Sequence, residues 1–199
     1  MKTTITVFFA CLALSCTKTA TELEQDQLPP ITQNGTNKAG FLLNGKTVIP
    51  KNASQAIGGP LIYGLKYHLG INFGNPSFDD YFAINIKNRK DIDGDEIYIH
   101  LNNMMLGAGT YQLGQSNGNY FTASPANNHV VLKKAINSGS IITYLSNSNS
   151  GFITITRFDY PNKIISGTFN MTLYNPDNSI ETVKITDGRF DINLVTLNN

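Results

Sequence analysis

The densest set of chemically useful side chains lies in Asp91-Ile92-Asp93-Gly94-Asp95-Glu96. Four carboxylates in six residues, with Gly94 permitting a sharp turn, offer the hard oxygen ligands that calcium prefers. No glutamate closes a twelve-residue EF-hand loop, so Asp91, Asp93, Asp95 and Glu96 are only a weak calcium candidate. An acidic hairpin turn around Asp93-Gly94 is the simpler expectation. The histidines are His68, His100 and His129. The first two fall on the polar faces of their strands, and the strand of residues 81–87 separates them. Metal ligands must converge on one point, so exposed strand histidines are expected and no metal site is assigned. Asp79, Asp80, Asp159 and Asp191 are the carboxylates to consider for glycosidase chemistry, which needs two at a suitable separation. Each lies at a strand edge, where solvation or capping is commoner. No Gly-x-Ser-x-Gly elbow is present. No catalytic residue and no cofactor are assigned, and the reading leans away from an enzyme.

Both cysteines, Cys11 and Cys16, fall in the first sixteen residues. The remainder therefore has no disulfide framework, no cysteine-based zinc site and no cysteine nucleophile. Lys2 precedes an apolar run from Ile5 to Leu14, with small residues at Ala13 and Ser15. That is the build of a secretory signal peptide, and the run is far shorter than the ~20 residues a spanning helix needs. Ala13-Leu14-Ser15-Cys16 resembles the bacterial lipobox, with Ala13 where leucine is preferred. The expectation is a signal peptide over 1–15 and lipidation of Cys16. The anchor would hold the protein at the cell envelope, on the periplasmic face of the outer membrane or at the cell surface.

Residues 17–38 hold Glu22, Glu24, Asp26 and Pro29-Pro30 but few apolar side chains. They read as a flexible tether whose ends lie on the order of 25 Å apart. The acidic residues resemble export signals of surface lipoproteins. Side-chain charges nearly balance at a formal +1, without a basic patch, so nucleic acid is not an expected partner. The expected partners are the membrane, through the lipid, and a glycan or an envelope protein.

Residues 39–199 read as one antiparallel β domain, a sandwich or incomplete barrel of about ten to twelve strands. Asn44-Gly45 closes a hairpin between Phe41 and Ile49. Alternating apolar rows run through Tyr67, Leu69, Ile71 and Phe73, then Phe82, Ile84 and Ile86, then Ile97, Ile99 and Leu101. Val183 and Ile185 are apolar at odd positions, whereas Phe190, Ile192 and Leu194 are apolar at even ones. That phase change predicts a β-bulge near Asp187-Gly188, with Gly188 at positive φ. No segment has a sustained helical period.

Phe41-x-x-Asn44-Gly45-Lys46, Gly109-Thr110-Tyr111-x-Leu113, Ser166-Gly167-Thr168-Phe169 and Ile185-Thr186-Asp187-Gly188-Arg189-Phe190-Asp191 together resemble small Bacteroidota lipoproteins of unknown function. The resemblance spans most of residues 40–195. It implies a lipid-anchored envelope protein and transfers no catalytic residue.

If successive strands alternate in direction, the loop Pro50–Gly64 and the turn Asp91–Glu96 emerge at one end of the domain. Tyr63, Asp91 and Asp93 are the candidate ligand-binding residues there, because loops on a rigid scaffold commonly carry binding groups. The simpler alternative is that the loop caps the core with Leu61 and Ile62 buried. The function expected is a non-enzymatic binding or structural role at the envelope. The alternative is a small hydrolase of envelope or dietary glycans.

Overall fold

The computed structural model describes residues 26–54, 58–75, 80–91, 93–120, 125–137 and 139–199. Thirteen strands follow in chain order: β1 (Lys38–Leu43), β2 (Lys46–Val48), β3 (Ala53–Ser54), β4 (Leu61–Ile62), β5 (Leu65–Leu69), β6 (Tyr81–Lys87), β7 (Glu96–Asn102), β8 (Gly109–Gln112), β9 (His129–Asn137), β10 (Ser140–Leu145), β11 (Gly151–Asp159), β12 (Ile164–Asn175) and β13 (Asn178–Asn193). A single 3-10 turn, Met104–Leu106, is the one helical element among the described residues. The expectation of an all-β chain is met.

Eleven strands form one antiparallel sheet in the order β2-β1-β13-β12-β10-β9-β7-β6-β5. The free edge of β12 is shared. Residues 164–171 pair with β11, which continues to β8, and Tyr174 pairs with Leu145 of β10. The sheet bends over its own apolar face without closing into a barrel. Phe82 of β6 therefore meets Phe190 of β13 at a centroid distance of 6.0 Å, although several strands separate them along the sheet. Period-two alternation explains this core. Phe82, Ile84 and Ile86, then Ile97, Ile99 and Leu101, then Val130 and Leu132 all point inward and are buried. Ile71 does not join its expected row. The strand ends at Leu69, and Ile71 sits in a turn with 91% of its surface exposed.

The Asn44-Gly45 hairpin forms as expected, with both residues at positive φ (48° and 84°), as a type I′ turn requires. The bulge in β13 also forms. A step of two residues on β12, from Phe169 to Met171, matches a step of three on β13, from Gly188 back to Ile185. The same slip appears against β1, between Gly40 and Leu42. It returns Phe190 and Ile192 to the core. The residue at positive φ, however, is Asp187 (52°) rather than Gly188. Gly188 serves packing instead, because a Cβ there would lie 2.2 Å from the ring of Phe169 on the next strand.

The segment expected as a free tether is described from Asp26, and from there it lies against the domain. The Asp191 carboxylate gathers it. One oxygen accepts from Thr32 Oγ1 (2.7 Å), Asn34 N (3.1 Å), Thr36 N (3.0 Å) and Thr36 Oγ1 (2.9 Å). The other accepts from Gly35 N (2.8 Å) and Ser166 Oγ (2.7 Å). Arg189 donates to Pro29 O, Arg157 to Gln33 O, and Lys51 pairs with Asp26 at 2.6 Å. Polar composition suggested an unpacked coil, but backbone amides answering one buried carboxylate supply the order that apolar burial does not. Cys16 and the expected signal peptide lie outside the described residues.

Candidate functional site

The core face of β5-β6-β7-β9-β10 is packed, so chemistry is sought on the opposite face. The register arranges that face in cross-strand rows. One runs Lys87, Glu96, Lys133, Thr143. The next runs Lys66, Asn85, Tyr98, Val131, Leu145. A third runs His68, Ala83, His100, His129.

The segment 113–120 folds over part of this face. Gly114 N donates to Asn128 O and Ser116 N to Ser146 O, which ties the segment to the ends of β9 and β10. The ring of Tyr120 then meets Tyr98 edge-on at 5.0 Å. The covering corrects the expectation of exposed histidines. His68 is exposed, but His100 and His129 are 0% and 1% exposed. Their rings stack at 4.6 Å, with Tyr81 4.7 Å from His100. Burial, reinforced by the neighbouring His129, lowers the pKa of His100 to about 3. Burial also lowers that of His129, against hydrogen bonds to the Asn127 and Asn119 backbone. Both rings are therefore neutral at pH 7. His129 Nδ1 donates to Asn127 O (3.0 Å), and His100 Nδ1 lies 3.4 Å from Tyr98 Oη. His100 Nε2 is buried without a hydrogen-bond partner. At an interplanar angle of 22°, the nitrogens of the two rings lie in separate, near-parallel planes.

Among the described residues, no group of three or more His, Cys, Asp or Glu could hold a metal ion. The acidic turn shows why its carboxylates do not gather. Asp91 Oδ1 accepts from Asp93 N (3.1 Å), an Asx turn. Asp95 immediately precedes β7, and the Glu96 carboxylate is drawn away to Asn85, Lys87 and Arg89. Burial raises the pKa of Asp95, opposed by the Ala135 backbone and by Lys46 and Lys134. Glu96 accepts from Asn85 Nδ2 (3.0 Å), Arg89 Nη2 (3.2 Å) and Lys87 Nζ (3.4 Å). Gly94 has a steric reason to be glycine, since a Cβ there would come within 2.3 Å of Asn88 O.

The loop and the acidic turn do share an end of the domain. Arg89 Nε donates to Tyr63 O (3.4 Å), Lys87 N to Gly64 O (2.8 Å), and Lys51 bridges to Asn88. The capping alternative does not hold for Leu61, which is 57% exposed. Beside the turn is a cleft of about 270 Å³ lined by Lys87, Asp93, Gly94, Glu96, Lys133, Ala135, Gly139 and Ile141. Of the three candidate binding residues, Asp93 alone lines it. Tyr63 and Asp91 lie nearby, outside the lining. The sequence reading missed Lys133, Gly139 and Ile141, which the Glu96–Lys133 and Ala135–Ile141 register brings to the turn. The only sequence signal for Lys133 and Ile141 was a strand position, and Gly139 falls in the turn between β9 and β10. A shallower groove of about 330 Å³, lined by Gln27, Pro29, Asn37, Lys38, Ala39, Ile49 and Pro50, lies where the N-terminal segment crosses the domain.

Three of the four carboxylates considered for hydrolysis have structural partners. Asp191 holds the N-terminal segment. Asp80 accepts from Gly74 N and Met105 N, joining two loops. Asp159 is brought down to about 2 by hydrogen bonds from Asn162 and Arg157. Asp79 lies outside the described residues.

No curated protein and no solved structure matches the chain. A family model described as "Domain of unknown function (DUF6252)" matches residues 77–191. The match takes in β6 through most of β13, with the cleft, the histidine pair and, as its last residue, Asp191. More than half of the sequence lies within it, and the chain belongs to the DUF6252 family.

Proposed function

We propose that this chain is a lipoprotein of the outer membrane, anchored through Cys16, with a non-enzymatic binding role at the cell envelope. Its ligand occupies the cleft beside the acidic turn. The carrying observation is that cleft: side chains of both charge signs and exposed Ile141 (59%) converge on one concavity of a rigid sheet. Ligand sites are usually concave and mostly apolar, with a few placed polar groups. Two features favour binding over the alternative of glycan hydrolysis. Glu96 is committed to three donors, and Asp191, Asp80 and Asp159 are committed to holding the fold.

The anchor is supported by the lipobox-like Ala13-Leu14-Ser15-Cys16 and by the resemblance to Bacteroidota lipoproteins. Because ordered contacts begin by Asp26, the spacer between Cys16 and the domain shortens to fewer than ten residues. The anchor would then hold the domain close to its membrane. Cys16→Ala is expected to abolish palmitate incorporation and release the domain from the membrane fraction. Undiminished labelling in that variant overturns the anchor.

A further inference from the structure

Resting on that reading of the cleft, we propose that its ligand is a single sugar unit carrying one carboxylate, a hexuronate residue. Three observations lead to it. The first is an uncommitted cation. Glu96 stands between Lys87 and Lys133 in its cross-strand row, yet its oxygens go to Lys87 at 3.4 Å and Arg89 at 3.2 Å. Lys133 instead rests over the Tyr120 ring at 4.5 Å, and among the described residues no carboxylate lies within ion-pair distance of it. The aromatic face orients the ammonium without neutralising it, so a ligand carboxylate can add to that arrangement rather than compete with a protein one.

The second observation is the charge of the lining. Lys87 and Lys133 are balanced by Asp93 and Glu96. A monoanion is matched by the one unpaired cation of the lining, Lys133, whereas a phosphate dianion brings a second charge for which the lining holds no further unpaired cation. The same carboxylates accept hydrogen bonds from hydroxyl groups. Asp93 has no ion-pair partner among the described residues, so it is the acceptor left for them.

The third observation is size and surface. A volume near 270 Å³ falls just below the ~300–1,000 Å³ of drug-sized sites, which limits the occupant to about one ring. Ile141, Ala135, Gly139 and Gly94 provide an apolar, low-walled flank against which the C–H face of a sugar can lie.

The test is calorimetric titration of the full lipidated chain in detergent with galacturonate, galactose, inorganic phosphate, glycine and a neutral dipeptide. The expected result is measurable galacturonate binding, at least tenfold tighter than galactose or phosphate and weakening with added salt. Lys133→Gln should weaken it at least tenfold, Lys133→Arg should restore part of the loss, and all three proteins should melt within a few degrees of one another. Equal binding of galactose and galacturonate overturns the proposed class, as does an unaffected Lys133→Gln protein of unchanged melting temperature. If galacturonate fails but another probe binds and Ala135→Trp abolishes that binding with an unchanged melting temperature, the sugar acid is wrong and the cleft reading stands. If no probe binds, both fall.

Discussion

Replacing Asp191 should release the N-terminal segment, and the structure sets the scale of the loss. The carboxylate is 3% exposed and accepts six hydrogen bonds, five of them from residues 32–36. Burial alone would raise its pKa. Donation by Thr32, Ser166, Thr36 and Gly35 outweighs burial and holds it well below the usual carboxylate range. Asp191→Ala removes every acceptor at once. Hydrogen bonds to a charged group contribute about 1.5–3 kcal/mol each, but the freed amides can rehydrate as the segment lifts. The net loss is then capped by the docking of the segment, about 3–5 kcal/mol, at the upper end for single substitutions. For a domain of this size that corresponds to roughly 6–20 °C in melting temperature. Asp191→Asn should cost about half as much. Its amide oxygen can keep the four-donor set, while its NH2 faces the Gly35 amide and a Ser166 hydroxyl able to turn and accept. Urea unfolding gives the energies. Amide exchange at Asn34, Gly35 and Thr36 locates the loss, and these three should lose protection first. A depressed carboxylate stabilises above its unfolded pKa, so this contribution persists at neutral pH and fades only below about pH 4. A loss under ~1 kcal/mol for Asp191→Ala, with those amides still protected, would refute the reasoning.

The histidine pair predicts acid sensitivity in a higher window. The folded pKa of His100 is depressed to about 3 from 6.5, so its contribution is complete above about pH 6.5 and falls as pH drops toward 3, by ~2 kcal/mol at pH 5. Melting temperatures between pH 8 and pH 5 should drop accordingly, and His100→Phe should flatten the slope; an unchanged slope would contradict a buried neutral ring. Gly188→Ala should cost about 1–3 kcal/mol by forcing Phe169 off its position, read as a fall in urea midpoint, whereas a neutral effect would show that the ring yields freely.

Much of the fold was legible because period-two alternation is local. Ile97, Ile99 and Leu101 declare their buried face without any knowledge of their neighbours. The slip from Ile185 to Phe190 likewise announced a bulge. What failed depended on distant partners. Gly188 was read as the flexible residue, but its role is set by Phe169 across the sheet. His100 was correctly assigned to a polar face, but the segment 113–120 that covers it and His129 has no periodicity to reveal where it lies. The tether looked unpacked because its partner, Asp191, is more than 150 residues away. At the cleft, Asp93 was visible within a conspicuous acidic run. Lys133 and Ile141 acquire meaning only from the register that places them opposite Glu96 and Ala135.

The central claim, that ligand enters the cleft beside the acidic turn, is tested most directly by backbone amide shift mapping of the isotopically labelled protein during a galacturonate titration. The largest saturable shifts are expected on Gly94, Glu96, Lys133, Ala135 and Gly139, while Asn37 and Ala39 in the other groove stay unmoved. Saturable shifts centred on Asn37 and Ala39, or on the exposed end around Ile71 and Leu106, would contradict it.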